Sequence, residues 1–190
     1  MIALELCKET LEQLKQQAAD TMVPGRGNGW KEEWLPFWEV PDLLRHCVEK
    51  GDEAGLKQAL LRLEEISGCW KQEDALTQAV YVWILTEVAR VVEAGAEYMR
   101  LAQEIGDVRI RAERNTDGDT AAAVAAALMA LPYKHMPRYV PAFLRHAYIF
   151  HARFWANRAV GEMENLTDAG RFFLHYALQR LMEERKGYRW

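Results

Sequence analysis

Residues 74–114 read DALTQAVYVWILTEVARVVEAGAEYMRLAQEIGDVRIRAER, and this stretch decides the fold class. No proline interrupts it, and apolar residues recur along one helical face, beginning with Val80, Ile84 and Val88. Glu93 and Glu97 lie on the opposite side, as expected of a solvated face. The pattern predicts one long central helix, the spine of a helical bundle.

On both sides of this stretch, apolar residues again recur at helical spacing. Residues that typically begin or end helices bound these segments. Gly51 is expected to end one helix and Asp52 to cap the next, while the last helix is expected to begin near Thr167 and Asp168. No segment alternates with the period of a strand, and no repeat occurs. The sequence predicts an all-α fold over residues 1–190, a single-domain bundle of six or seven helices.

The composition is that of an ordinary globular domain, with 50% hydrophobic and 27% charged residues among 190. Glu5, Lys8 and Glu9 interrupt what would be the apolar core of a secretory signal, and no uncharged run approaches the roughly 20 residues that span a bilayer. The three cysteines are widely spaced, which favours free thiols in a reducing compartment. A cytoplasmic protein without membrane contact is predicted.

The charge is distributed unevenly along the chain. Residues 1–130 carry 14 Lys and Arg against 23 Asp and Glu, a balance of −9, whereas residues 131–190 carry 10 against 5, a balance of +5. The basic segment is also rich in aromatic residues. It is therefore predicted to form either the centre of the core or a binding face.

The helix predicted from about residue 141 to residue 160 is apolar around most of its circumference. Phe143, Phe150 and Phe154 lie on one of its sides. Arg145 and Arg153 belong to its only polar arc, which Arg138 extends.

These three arginines, Arg138, Arg145 and Arg153, are the candidates for contact with nucleic acid, because phosphate binding requires clustered cations. The acidic remainder of the chain opposes the approach of a polyanion. A salt-bridged surface is therefore the favoured interpretation, and nucleic-acid contact is kept as an alternative.

Residues 21–41 are predicted to form a mobile glycine-containing loop followed by a tryptophan-rich segment. Trp30, Trp34 and Trp38 recur every four residues, so a helical segment would place them in one stripe. Such a stripe is either a lid on the bundle or an exposed contact for a partner. Tyr188 and Trp190 are further candidate partner contacts, because a chain end is seldom buried on its own.

The segment Asp117-Gly-Asp119-Thr120 precedes a run of alanines and places two carboxylates and a hydroxyl at a helix entrance. Oxygen ligands of this kind suit Mg²⁺. The segment resembles the metal motif of the all-α ADP-ribosylglycohydrolase family over about a dozen residues. The resemblance implies a Mg²⁺-dependent hydrolase in which Asp117, Asp119 and Thr120 are metal ligands.

The favoured interpretation of the same segment is simpler: an Asp-Gly turn, with Asp119 or Thr120 capping the alanine-rich helix. Ser67 is the only serine, and no nucleophile motif surrounds it. The sequence therefore favours a non-catalytic protein without a cofactor, acting through contact with a protein partner or by self-association. The hydrolase and the nucleic-acid-binding subunit are the alternatives.

Overall fold

The structure is a computed structural model that describes residues 9–10, 12–14, 16, 25–34, 40–59, 61, 74–91, 112, 117–130 and 142–187. Over these ranges the regular structure is helical, without a strand. The α-helices are α1 (Val40–Lys50), α2 (Ala75–Val91), α3 (Gly118–Ala130), α4 (Ala142–Gly161) and α5 (Asp168–Gly187). Short 3-10 helices span Glu32–Trp34 and Met163–Asn165. The predicted all-α bundle is confirmed.

The alanine-rich helix α3 occupies the centre of the described bundle. It packs against α2, α4 and α5, and every residue from Thr120 to Ala130 is buried. Alanine side chains allow neighbouring helices to approach closely, so α3 can be surrounded on all sides. The core of this fold is thus built around the helix with the smallest side chains.

The prediction of one long central helix is not confirmed. Its described portion, α2, begins at Ala75 and ends at Val91, and of the continuation to residue 114 only Ala112 lies within the described residues. Among the described helices, the central position belongs to α3.

Helix boundaries follow the local signals in the sequence. Gly51 adopts a φ of 68° directly after α1, a conformation that glycine adopts without steric penalty. The Asp52 side chain accepts a hydrogen bond from the Gly55 amide at 2.9 Å, and residues 53–59 are helical. Both predicted boundaries are confirmed.

The loop at residues 25–29, of sequence GRGNG, is fastened to the start of α5. The Asn28 amide donates to Asp168 Oδ2 at 2.8 Å, and the Asp168 amide donates to Asn28 Oδ1 at 2.8 Å. Gly27 has a φ of 88°, and a β-carbon at that position would lie 2.3 Å from Asp168 Oδ2. The glycine content of residues 21–41 predicted a mobile loop. The hydrogen bonds instead favour an ordered conformation for residues 25–29, the part of that loop that the structure describes.

Beyond this loop, Trp30 and Trp34 complete an aromatic cluster with α2 and α5. The Trp30 ring lies 5.3 Å from Phe173 and 6.4 Å from Trp34, and Trp83 of α2 lies 5.6 Å from Phe173. Aromatic pairs at such separations add to the stabilisation that burial provides. Trp34 therefore belongs to the hydrophobic core, and Trp30 packs against it half-buried.

An ion pair attaches the same segment to the first turn of α2. Lys31 Nζ lies 2.8 Å from Asp74 Oδ2 and donates to Thr77 Oγ1 at 3.1 Å, while Asp74 Oδ1 accepts from the Thr77 amide. Burial acts to raise the pKa of the Asp74 carboxyl, but hydrogen bonds from Lys31 and Thr77 outweigh this effect and hold the pKa below its ordinary 3.8.

A carboxylate is buried between α2 and α5. Glu87 accepts a hydrogen bond from the Tyr176 hydroxyl, and its carboxylate lies 4.0 Å from the Arg180 guanidinium. The Glu87 side chain is only 7% exposed. Because a buried carboxylate needs donors around it, the Tyr176 hydroxyl stabilises Glu87 where α2 meets α5.

Replacing Tyr176 with phenylalanine is expected to lower the free energy of unfolding by about 1 to 2 kcal/mol, because Glu87 loses a donor while staying buried. Urea denaturation measures the change. Glu164→Gln, at an exposed position, is the control and should alter stability by less than about 0.5 kcal/mol. Equal effects of the two substitutions would show that the buried hydrogen bond contributes nothing.

Candidate protein-contact surface

Helix α4 has two faces of different character. Its inner face carries Ala152, Trp155, Ala156 and Ala159, all 1% exposed or less. These residues pack toward α3 and α5, and three of the four are alanines that permit close helix contact. The inner face is therefore used within the bundle.

The outer face of α4 presents two aromatic rings to solvent. Phe150 is 59% exposed and Phe154, one turn later, is 54% exposed. Asn157 and Gly161 continue the same line and are exposed. We call Phe150, Phe154, Asn157 and Gly161 the phenylalanine face.

Basic residues border the phenylalanine face on both sides. Arg153 lies along one edge, His151 and Arg158 lie along the other, and all three are half-buried. The Arg158 guanidinium lies 5.4 Å from the centre of the Trp155 ring, which holds the charge close to the helix. The sequence of α4 contains no Asp or Glu. The surface is thus an aromatic stripe with an arginine at each edge.

The sequence places Phe150 and Phe154 on one side of their helix but does not identify that side as a surface. A helix that is apolar nearly all round does not reveal which side faces its neighbours. One signal was available: Asn157 and Gly161 stand where a buried stripe would continue with large apolar residues. A polar and a small residue on that line indicate that this side faces solvent.

The tryptophan candidates for partner contact are placed differently from one another. Trp34 is 1% exposed and lies in the core, and Trp30 is partly buried beside Phe172 and Phe173. Their burial favours the lid interpretation over the exposed contact. Trp38, Tyr188 and Trp190 lie outside the described residues.

Of the arginines considered for nucleic acid, Arg153 lies at an edge of the phenylalanine face. Arg145 belongs to α4, but its side chain lies outside the described set, as does the whole of Arg138. The structure therefore does not bring the three together as a described phosphate-binding group, and contact with nucleic acid stays a prediction.

The two aspartates of the candidate metal motif both accept hydrogen bonds at helix starts. Asp117 Oδ1 accepts from the Thr120 amide and Asp117 Oδ2 from the Thr120 hydroxyl, each at 2.7 Å. The prediction that Asp119 or Thr120 caps this helix is wrong, because α3 begins at Gly118 and Asp117 is its cap. Thr120 is the residue whose amide is capped.

Asp119 instead reaches across to the start of α5. Its carboxylate accepts from the Thr167 amide at 3.0 Å and from the Thr167 hydroxyl at 2.7 Å. Thr167 in turn accepts from the Gly170 amide at 3.2 Å. Asp119 therefore orients the residue that caps α5, and this link between two helices was not evident from the sequence.

These hydrogen bonds bear on the Mg²⁺ alternative. All four carboxylate oxygens of Asp117 and Asp119 accept from a threonine of the same chain. Within the described ranges, no group of three or more His, Cys, Asp or Glu side chains is arranged to hold a metal ion. The arrangement favours capping, and metal binding stays a prediction.

Comparisons of the chain with protein-family models, with curated proteins and with solved structures returned no match. Within the described part of the chain, no helix has the length and apolar character needed to cross a membrane.

Proposed function

We propose that this protein acts by binding another protein through the phenylalanine face of α4. The observation that supports the proposal is the exposure of Phe150 and Phe154, two large aromatic rings one helical turn apart, on a helix whose opposite side is fully packed. Single exposed apolar residues are common, but adjacent aromatic rings between arginines have the composition of an interface centre.

The other exposed apolar side chains of the described residues differ in arrangement. Besides Leu61, which is 50% exposed, Leu43 and Val48 of α1 are 52% and 48% exposed. They are separated by five positions, which places them about 140° apart around the helix, so they form no common stripe. Leu43 and Val48 therefore serve as matched controls for Phe150 and Phe154.

The first experiment locates the contact in the cells from which the protein comes. A photoreactive phenylalanine analogue is introduced singly at positions 150, 154, 43 and 48, and the tagged chain is irradiated and recovered. We expect the same defined adduct from positions 150 and 154 and none from positions 43 and 48. Adducts from all four positions alike, or from neither α4 position, would contradict the proposal.

The second experiment measures the contact with purified components. The protein found in the adduct is mixed with the wild-type chain and with the variant Phe150→Ala/Phe154→Ala, and we expect the variant to bind at least tenfold more weakly, about 1.4 kcal/mol. Leu43→Ala/Val48→Ala should bind as the wild type does.

Both double variants should unfold within about 1 kcal/mol of the wild type, because the replaced side chains are half exposed. If the two double variants bind the partner protein equally well, the phenylalanine face does not form the contact. An adduct with a second copy of this chain would make the contact a self-association.

A further inference from the structure

We infer that Asn28 is a site of spontaneous deamidation, and that its conversion to aspartate or isoaspartate loosens residues 25–34 from α5. Asn28 and Gly29 are neighbours in the loop of sequence GRGNG, and both are exposed. The reaction consumes only water, and it replaces a neutral amide by a carboxylate where the loop is fastened to the helix. This site is separate from the phenylalanine face and does not depend on its role.

The reaction begins within the main chain. The Gly29 nitrogen loses its proton and attacks Cγ of the Asn28 side chain, which forms a new N–Cγ bond. The bond between Cγ and Nδ2 then breaks, and ammonia leaves with the proton that Gly29 lost. A cyclic imide remains. Water opens this imide at either carbonyl carbon, which gives aspartate or, with the main chain routed through the side chain, isoaspartate.

The structure leaves the reacting groups accessible. Neither the Gly29 amide nor Asn28 Nδ2 donates a hydrogen bond within the described part of the chain. Glycine has no β-carbon to obstruct the approach of its nitrogen to the side chain before it. The attacking nitrogen and the departing amino group are therefore both available for the reaction.

The packing of the loop requires glycine after Asn28. Gly29 has a φ of 85°, a conformation that other residues rarely adopt, and a β-carbon there would lie 2.1 Å from Thr167 Oγ1. A larger residue would displace either the loop or the start of α5. The residue that least obstructs imide formation is thus the one that the fold demands at this position.

One of the hydrogen bonds that hold the loop also favours the attack. The Asp168 amide, in the first turn of α5, donates to Asn28 Oδ1 at 2.8 Å. A donor at this oxygen withdraws electron density from Cγ and stabilises the negative charge that the oxygen carries after the attack. The positive end of the helix dipole of α5 lies at the same place and acts in the same direction.

The products weaken the attachment of the loop. The Asn28 amide donates to Asp168 Oδ2 at 2.8 Å, and the Ala169 amide donates to the Asn28 carbonyl at 3.1 Å. Aspartate at position 28 places a second carboxylate beside that of Asp168, and the two negative charges repel each other. Isoaspartate lengthens the main chain by a carbon atom, so these paired hydrogen bonds lose their geometry.

The loop also connects to the aromatic cluster. Trp30 Nε1 donates to the Arg26 carbonyl at 2.8 Å, so a change at position 28 lies between two points that hold Trp30 in place. Segments held by a few exposed hydrogen bonds open at a lower free energy than the core does. Deamidation is therefore expected to loosen residues 25–34 while leaving α3 and its neighbours packed.

The first test follows the purified, folded full chain over time at constant neutral pH. Peptides containing Asn28, Asn157 and Asn165 are compared by mass spectrometry, and a sample digested at time zero corrects for losses during digestion. Asn157 and Asn165 are exposed and precede Arg158 and Leu166, so they are controls within the same molecules. We expect Asn28 to be lost roughly tenfold faster or more, with isoaspartate among its products.

Isoaspartate identifies the imide route, because direct hydrolysis of the side-chain amide gives aspartate alone. A parallel sample in urea tests whether the native loop permits the reaction. If Asn28 is lost in urea but lasts as long as Asn157 in the folded chain, the hydrogen bonds to α5 protect it and the inference is overturned.

The second test measures the consequence with Asn28→Asp, which carries the aspartate product from the start. We expect its Ala169 amide to exchange hydrogen faster than in the wild type, the α3 amides to be unchanged and the Tm to decrease by about 2 to 4 °C. Asn157→Asp makes the same change on the outer side of α4 and should match the wild type.

Wild-type chain that has deamidated during storage carries additional negative charge and is separated by ion exchange. It should show the same faster exchange, and it keeps the test valid if Asn28→Asp does not fold. Equal exchange and Tm in Asn28→Asp and Asn157→Asp, or unchanged exchange in the deamidated wild-type fraction, would overturn the loosening of residues 25–34.

Discussion

Replacing Ala125 with leucine is expected to destabilise the protein by about 3 kcal/mol, because overpacking a filled core leaves the added atoms no space. Ala125 lies in the middle of α3, at 0% exposure, in a run where every residue from Thr120 to Ala130 is buried. Three further carbon atoms at this position require either α3 or a neighbouring helix to move.

The reason is the position of α3 between three helices. A helix with one solvent-facing side relieves overpacking by rotating or shifting outward, whereas α3 contacts α2, α4 and α5 at once. Protein interiors are packed as densely as organic crystals, so an isobutyl side chain in place of a methyl group forces neighbouring side chains out of their preferred rotamers. The strain is then shared among all three contacts.

Chemical denaturation of Ala125→Leu and of the wild type measures this effect. The matched control is Ala54→Leu, the same substitution at an exposed position in the helical residues 53–59, with an expected change of less than about 0.5 kcal/mol. If Ala125→Leu is as stable as the control, α3 is not enclosed on all sides.

Replacing Asp119 with alanine is expected to lower stability by about 2 to 3 kcal/mol. The substitution removes the acceptor of two hydrogen bonds from Thr167, which itself caps the first turn of α5. It therefore weakens both the cap of α5 and the link between α5 and α3. Asp117→Ala, which removes the acceptor of the Thr120 amide and hydroxyl at the cap of α3, should cost about 1 kcal/mol.

Thermal unfolding with and without Mg²⁺ distinguishes capping from metal binding for the same residues. Capping predicts that Mg²⁺ leaves the Tm of the wild type unchanged and that Asp119→Ala lowers it equally in both conditions. A ligand that binds the folded state raises the Tm, so an increase with Mg²⁺ that both aspartate variants lose would support the hydrolase alternative. If Asp119→Ala is as stable as the wild type, the role of Asp119 in holding the start of α5 is contradicted.

Several local features could be predicted because each depends on residues close in sequence. Gly51 ends α1, Asp52 and Asp74 cap the segments that follow them, and α5 begins at Asp168 after Thr167. Glycine conformation and side-chain capping act over three or four residues, so their outcome needs no knowledge of the fold. The all-α class follows from the same local chemistry combined with helical periodicity.

The candidate site could be predicted only in part. Phe150 and Phe154 were assigned to one side of their helix from their spacing, but that helix is apolar on several sides, so its own pattern did not select the buried one. Asp119 was recognised as a residue at a helix entrance, yet its partner Thr167 is 48 positions away. No local signal identifies a hydrogen bond of that range.

By itself, the sequence therefore determined the helical class, the helix boundaries named above and the charge asymmetry between the two parts of the chain. Only the tertiary structure decided that α3 is central, that Asp119 holds the start of α5 and that the phenylalanines of α4 face outward. The physical reason is that the first group depends on interactions within one or two helical turns. The second depends on which surfaces pack together, and the small alanines of α3 and α4 decide this by allowing the closest approach.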